Sequence, residues 1–257
     1  MTQSPAPRDE APVKTIAFVQ YPGLTPLDIV GPLQVFSLLS QLVPGYSTVV
    51  VGERIEPMAT DTPLSLVPSH TFETMPDPHV LIVPGGTLPT IAAMADEKLL
   101  DRLRTAAARS QIIGSVCTGS LLLAAAGLLE GRRATAHWMY RGLLSTFGAT
   151  PVAERWVSDG NVITAAGVSA GIDMALHLAG ELAGQDAART VQLFIEYDPE
   201  PPFGPIDWEA ADPGQYAPRL HSRLHQALAD HPALLERLTD LPSRQSAAGL
   251  ITEGKPE

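Results

Sequence analysis

Short runs of consecutive apolar, β-prone residues, each stopped by glycine or proline, set the tightest limit on how this chain can fold. Thr15-Ile-Ala-Phe-Val-Gln-Tyr21 ends at Pro22-Gly23, and Val80-Leu-Ile-Val83 ends at Pro84-Gly85-Gly86. Gln111-Ile-Ile-Gly-Ser-Val116 ends at Cys117-Thr118-Gly119. These runs are apolar nearly throughout instead of alternating with polar residues, so both faces of each strand must be covered. That is how buried strands of a parallel sheet read.

The intervening segments carry helical apolar spacing. Leu27–Leu39 reads as a helix, with Gly31-Pro32 expected near its start because proline is tolerated in the first turn. Asp96–Arg109 places Leu99, Leu100 and Leu103 on one side, and Gly119–Ala126 is closed by Gly127. Ser47–Val51 reads as a second strand, and Leu64–Val67 as a short edge strand in a stretch rich in Pro, Thr and Ser. Arg133–Ala136 followed by Met139–Phe147, stopped by Gly148, reads as a further strand–helix pair. Ser158-Asp159-Gly160 marks a hairpin between Arg155–Val157 and Asn161–Ala165, since Asp-Gly suits a tight primed turn. Gly171–Ala183 and Asp186–Phe194 are the last core helices, and one more helix is expected from about Arg219 to Leu238. Strands alternating with helices give an α/β fold, a mainly parallel sheet with helices on both faces.

In such sheets chemistry collects at the carboxyl ends of the strands. That rule brings the loops Tyr21–Asp28, Pro84–Leu88 and Cys117–Ser120 to one edge. Cys117, the one cysteine of the chain, then sits at a sharp strand-to-helix turn. Unpaired N–H groups and the helix dipole favour an anion there, so a lowered thiol pKa is expected, as in a nucleophile elbow. A lone cysteine is also commonly a small buried apolar residue. Gly85 and Gly86 offer backbone N–H groups without Cβ obstruction, or simply end a strand. Asp28, among apolar neighbours, reads equally as a buried proton carrier or as a helix N-cap. Thr118 can present its hydroxyl and its N–H near the sulfur. His137, in Ala136-His-Trp138, reads as a structural histidine packed beside Trp138.

Composition narrows the function classes. A net charge of −11 without any Lys/Arg cluster argues against nucleic acid as a partner. No apolar run approaches the ~18 residues of a membrane span, and Met1–Pro12 lacks an apolar signal core, so a cytoplasmic protein is expected. No metal-spaced His/Cys cluster is present. Residues 1–13 read as a disordered leader, 14–204 as the main domain, and 205–257 as a Pro-rich segment, helix and tail.

Several motifs in order resemble the DJ-1/PfpI superfamily, in particular its isocyanide hydratase branch. They are Leu27-Asp28-Ile-Val-Gly-Pro32, Val83-Pro-Gly-Gly-Thr87, Ser115-Val-Cys-Thr-Gly-Ser120, Ala125-Ala-Gly-Leu-Leu129 with Gly131, Ala136-His-Trp138, Gly171-Ile-Asp173, and Val191-Gln-Leu193 with Glu196-Tyr-Asp-Pro-Glu-Pro-Pro-Phe203. The resemblance implies a flavodoxin-like three-layer sandwich, a homodimer, and no metal or organic cofactor. It implies Cys117 as nucleophile and Asp28 as its carboxyl partner, with Gly85, Gly86 and Thr118 binding substrate or developing charge. It further implies that Thr164–Gly171 lines the pocket. The implied reaction is attack of the thiolate on the terminal carbon of R–N≡C, proton delivery to give a thioimidate, then hydrolysis to an N-substituted formamide. Two other readings stay open: glyoxalase or deglycase chemistry on α-oxoaldehydes, and a redox sensor in which Cys117 is oxidised. A sensory domain fused to helix-turn-helix motifs is disfavoured, because only about fifty residues follow Phe203 and they are not basic.

Overall fold

The computed structural model describes residues 13–240; most of the expected leader and the end of the expected tail lie outside them. The strands, in chain order, are β1 Lys14–Val19, β2 Tyr46–Gly52, β3 Met58–Ala59, β4 Ser65–Leu66, β5 His70–Thr71, β6 Pro78–Val83, β7 Ile112–Val116, β8 Arg133–Ala134, β9 Thr150–Pro151, β10 Trp156–Asp159 and β11 Val162–Ala165. Seven of them form one sheet in the order β10-β11-β7-β6-β1-β2-β5. Every pairing in it is parallel except the β10–β11 hairpin, whose Gly160 takes a φ of 62°. The helices are α1 Pro26–Leu42, α2 Leu88–Ala93, α3 Glu97–Ala108, α4 Gly119–Ala125, α5 Ala170–Ala183, α6 Gln185–Phe194, α7 Ala217–Ala227 and α8 Pro232–Thr239. Helices α1, α5 and α6 pack together in one layer, while α2, α3, α4 and α7 pack in the other. The result is a flavodoxin-like three-layer sandwich.

The apolar runs of the sequence are the middle of this sandwich. Ile16 to Val19 and Val80 to Val83 have no exposed surface. Each fully buried side chain such as Phe18 or Ile82 contributes roughly 1.5–3 kcal/mol by leaving water. The chain passes from β1 to β2 on one side and then to β6 on the other side of β1. The reversal opens a crevice beyond the carboxyl ends of β1 and β6, the place where such folds bind ligands.

Several expectations need correction. Pro32 is not in the first turn of its helix: α1 starts at Pro26, and Pro32 sits inside it. Pro26 occupies the opening position, and Pro32 is buried in the second turn, where its missing N–H leaves the Asp28 carbonyl without its usual helical partner. The short strand within Leu64–Val67 does not border the main sheet; it pairs with β3 in a separate ladder, and His70–Thr71 takes the edge. Arg133–Ala136 with Met139–Phe147 is not a core strand–helix pair. The place beside β7 belongs to β11, so β8 pairs only with β9, and Arg141–Phe147 forms a 3-10 helix ended by Gly148 at φ 78°. The single helix expected from Arg219 to Leu238 is two, α7 and α8. Pro232 cannot donate to a preceding carbonyl, so it opens a new helix instead of extending the old one. Helix α2 was not anticipated.

Candidate active site

Strand β7 runs out at Val116, and Cys117 turns the chain at a φ of 60° before α4 begins at Gly119. Residues with a Cβ rarely adopt this left-handed conformation, at a cost on the order of 1–2 kcal/mol. The surroundings hold it there. Cys117 N–H donates to the carbonyls of Ala165 at 3.0 Å and Ala166 at 3.3 Å. Ser120 Oγ donates to Thr135 O at 2.7 Å and lies 2.9 Å from Ser115 Oγ. The elbow expected from the sequence is therefore present, with the thiol only 4% exposed.

The loop after β6 packs directly onto this elbow. A Cβ on Gly85 would run into the backbone nitrogens of Thr118 and Gly119, and one on Gly119 into the carbonyls of Val83 and Pro84. Only glycine permits that approach. Tyr21, at the end of β1, fastens the same loop: its hydroxyl donates to Pro84 O at 2.9 Å and meets Thr90 Oγ1 at 2.9 Å. Leu24 bridges to Gly86, and Thr25 N–H donates to Gly85 O at 2.9 Å. The three loops that the strand ends were expected to bring together do meet.

Asp28 does not cap its helix. Thr25 is the N-cap residue, and the Asp28 side chain reaches across to the neighbouring loop, where Oδ2 accepts Gly85 N–H at 3.1 Å. Asp28 is 0% exposed, and its other oxygen, Oδ1, is buried without a well-formed hydrogen bond. The neighbour with which the carboxyl interacts directly is the Cys117 side chain. Burial pushes the Asp28 carboxyl up to about 7, against the opposing pull of Cys117 and the Gly85 N–H.

The thiol itself departs from expectation. Burial pushes Cys117 well above the ordinary thiol range, the adjacent Asp28 charge pushes it further, and the Thr118 N–H and hydroxyl only partly offset this. Helix α4 has seven residues, and its N–H groups do not outweigh desolvation plus a carboxyl neighbour. Near neutral pH the resting pair is therefore a protonated thiol beside a carboxyl whose titration is pushed up to about 7.

The N–H groups of Gly85 and Gly86, expected to face developing charge, are already committed. Gly85 holds Asp28, and Gly86 donates to Thr118 Oγ1 at 2.8 Å while its carbonyl accepts from the same hydroxyl at 2.7 Å. They fix the Asp28 and Thr118 side chains, and the Thr118 N–H and hydroxyl are the groups that oppose the rise of the thiol.

Two further residues border the sulfur: Gly167, within the segment Thr164–Gly171 that the resemblance implies lines the pocket, and His137, which the sequence reads as structural. A Cβ on Gly167 would lie 3.0 Å from Cys117 Sγ and 2.5 Å from His137 Cδ2, so the bare backbone there leaves the space over the sulfur open. His137 packs against Trp138 as expected, ring centroids 5.9 Å apart, yet it also borders that space. Its backbone N–H donates to Cys117 O at 3.3 Å. Burial, followed by the charges of Arg223 and Arg141, lowers the ring to about 4, so it is neutral. Histidine beside a cysteine distant in sequence leaves no local signal; only the fold joins them. Among the described residues no three His, Cys, Asp or Glu side chains cluster as metal ligands, and no described helix is long and apolar enough to cross a membrane.

Comparison with known proteins speaks to the family and the fold. The chain matches the DJ-1/PfpI family over residues 14–181. It is similar to an isonitrile hydratase of Pseudomonas putida, 47% identical over 188 residues, which cover 73% of this chain and 80% of that protein. A THiJ/PfpI family protein from Pseudomonas syringae superposes with a TM-score of 0.75 at 37% identity, covering 94% of this chain and 98% of the other. DJ-1beta of Drosophila melanogaster superposes with a TM-score of 0.63 at 22% identity, covering 73% and 100%, and speaks to the fold alone.

Proposed function

The chain belongs to the DJ-1/PfpI family, and on that basis we propose that it is an enzyme that hydrates isocyanides to N-substituted formamides, with Cys117 as nucleophile and Asp28 as proton carrier. The observation that carries the reading is the Asp28 carboxyl. It is fully buried, anchored through one oxygen and unpartnered at the other, and set against a thiol on a strained elbow. The similarity to the Pseudomonas putida isonitrile hydratase supplies the substrate class.

The proposed steps balance without any further reactant than water. Asp28 takes the Cys117 proton as sulfur bonds to the terminal carbon of R–N≡C. It then delivers that proton to the same carbon, leaving the thioimidate Cys–S–CH=N–R. Water adds to the C=N carbon, nitrogen gains a proton, and the C–S bond breaks to release R–NH–CHO and regenerate the thiol. A carboxyl near 7 suits both directions of transfer, since a general acid–base works best with a pKa near the operating pH. The Thr118 amide would stabilise the sulfur while it is anionic, and Gly85 and Gly86 would keep Asp28 and Thr118 in place. The open space beside Gly167 would admit the substrate carbon.

The redox-sensor reading fits less well, because oxidation requires a standing thiolate and this thiol is held protonated. The homodimer stays part of the proposal, supported by exposed apolar side chains at Leu27 and Val30 of α1 and Leu193 and Phe194 of α6; sedimentation tests it. The decisive experiment is incubation with an alkyl or aryl isocyanide, with chromatography for the formamide and an α-oxoaldehyde as parallel substrate. Cys117→Ala should lower formamide production by more than about a thousand-fold while leaving the fold intact. No turnover of any isocyanide, together with a stable oxidised Cys117 under peroxide, would overturn the reading.

A further inference from the structure

We propose that Arg223, on the C-terminal helix α7, is a positioning residue of this site, acting through Tyr140 to hold the His137 ring against the space over Cys117. The proposal rests on the reading of Cys117 and Asp28 as the reacting pair. A contact connects each link. Arg223 Nη1 donates to Tyr140 Oη at 2.7 Å. Tyr140 is buried, 3% exposed, and its ring meets the His137 ring edge-on at 5.7 Å and 61°. Tyr140 N–H donates to His137 O at 2.8 Å, and His137 N–H donates to Cys117 O. The ring is also fixed from its far side, where Nδ1 accepts Met139 N–H at 3.3 Å. A ring whose Nδ1 accepts is neutral with its proton on Nε2, and its Cδ2 edge borders the gap at Gly167.

The charged and titratable groups facing His137 are Arg141 on its own segment, Arg223 from α7, and Cys117 across the gap. Burial and, after it, the two guanidinium charges oppose protonation of the imidazole. This matters for the chemistry of the pair. An imidazolium beside the sulfur would stabilise a standing thiolate, its proton lost to water, and leave Asp28 without the Cys117 proton to carry. With His137 neutral, the transferable proton stays between Cys117 and Asp28, at the atom that must give it to carbon. Helix α7 also packs on α2 and α8, and Tyr216 at its start meets Trp138, whose ring lies beside His137; the Arg223–Tyr140 contact is the link that brings a charge to the imidazole.

The test uses histidine-labelled full-length protein and NMR titration, with His137 assigned by its loss in His137→Gln. In the wild type His137 should stay neutral down to pH 5.5. Arg223→Gln should move its midpoint up by at least about half a pH unit, and Arg223→Lys, which keeps the charge, should return most of that shift. Tyr140→Phe keeps the ring packing but frees Arg223, and should shift the midpoint in the same direction. As a second readout, Cys117 alkylation at about pH 4.5, within the range where the His137 charge changes, should speed up measurably in Arg223→Gln, since an imidazolium favours the thiolate. An unchanged His137 midpoint and alkylation rate in folded Arg223→Gln would overturn the proposal. If that variant does not fold, Tyr140→Phe decides alone, by the same two readouts. Neither readout needs an isocyanide, so failure of the hydratase reading and failure of this one are separate results.

Discussion

Replacing Asp28 by asparagine changes almost nothing in shape and removes one buried ionisable group, so it isolates the free-energy cost of keeping that carboxyl in the site. The carboxyl rises from 3.8 to about 7 on folding, chiefly through burial. Between those values the native state binds the proton and the unfolded chain does not, so wild-type stability falls as pH rises through that window. About three pKa units at ~1.36 kcal/mol each give a loss of up to about 4 kcal/mol by pH 8. The carboxamide that replaces it has no proton to lose. Its oxygen can still accept Gly85 N–H, and its NH2 group takes the place of the protonated carboxyl facing Cys117. The stability of Asp28→Asn relative to wild type should therefore grow with pH, from near equality at pH 4 to a gain of several kcal/mol at pH 8.

Urea denaturation of both proteins at half-unit steps from pH 4 to 8.5 measures this, and taking the difference cancels the titrating groups that do not interact with Asp28; Cys117 and Tyr21, which do, are both pushed up by burial. Turnover should move oppositely, falling at least about a hundred-fold, as expected for a lost general acid–base. More stability with less activity is what a strained catalytic group predicts. A pH-independent difference, or a variant less stable than wild type at pH 8, would refute the burial argument. Undiminished turnover would show that Asp28 carries no proton.

Other expectations follow from the same geometry. Cys117 should alkylate slowly below pH 8, and a rate profile with a midpoint under 8 would contradict a thiol held up by burial and by Asp28. His137, whose native pKa is lowered to about 4, should cost stability progressively as pH falls from about 6.5 toward 4, because the unfolded chain takes up the proton first. His137→Gln should flatten that part of the curve, and an unchanged acid limb in thermal melts would count against it. Gly167→Ala puts a methyl 3.0 Å from Sγ and 2.5 Å from His137 Cδ2, so kcat/KM should drop by more than about tenfold and Tm should fall as the His137 ring is displaced; wild-type activity would mean the substrate arrives from elsewhere.

The amino-acid sequence by itself determined the layering and the edge at which the site lies. Unbroken apolar runs at β1, β6 and β7 demand cover on both faces, and glycines or prolines at their ends mark where the loops begin. From these, Cys117 at an elbow and Asp28 near it were legible, because strand ends in a parallel sheet share one edge. The role of Asp28 was not. A carboxyl three residues into a helix region reads as a cap until burial is known, and burial is set by Gly85, far away in sequence.

Tertiary structure alone decided the electrostatics of the site. Local sequence points to a helix N-terminus lowering the thiol; the assembled site desolvates the thiol and seats a carboxyl against it, which reverses the direction. It also decided that His137 flanks the sulfur opposite Gly167 of the expected pocket segment, and that the C-terminal segment breaks into two helices, the first of which carries Arg223 to Tyr140. Periodicity and turn chemistry are local and act along the chain, so a sequence displays them. Desolvation and charge coupling depend on which distant segments pack together, and they exist only once the chain has folded.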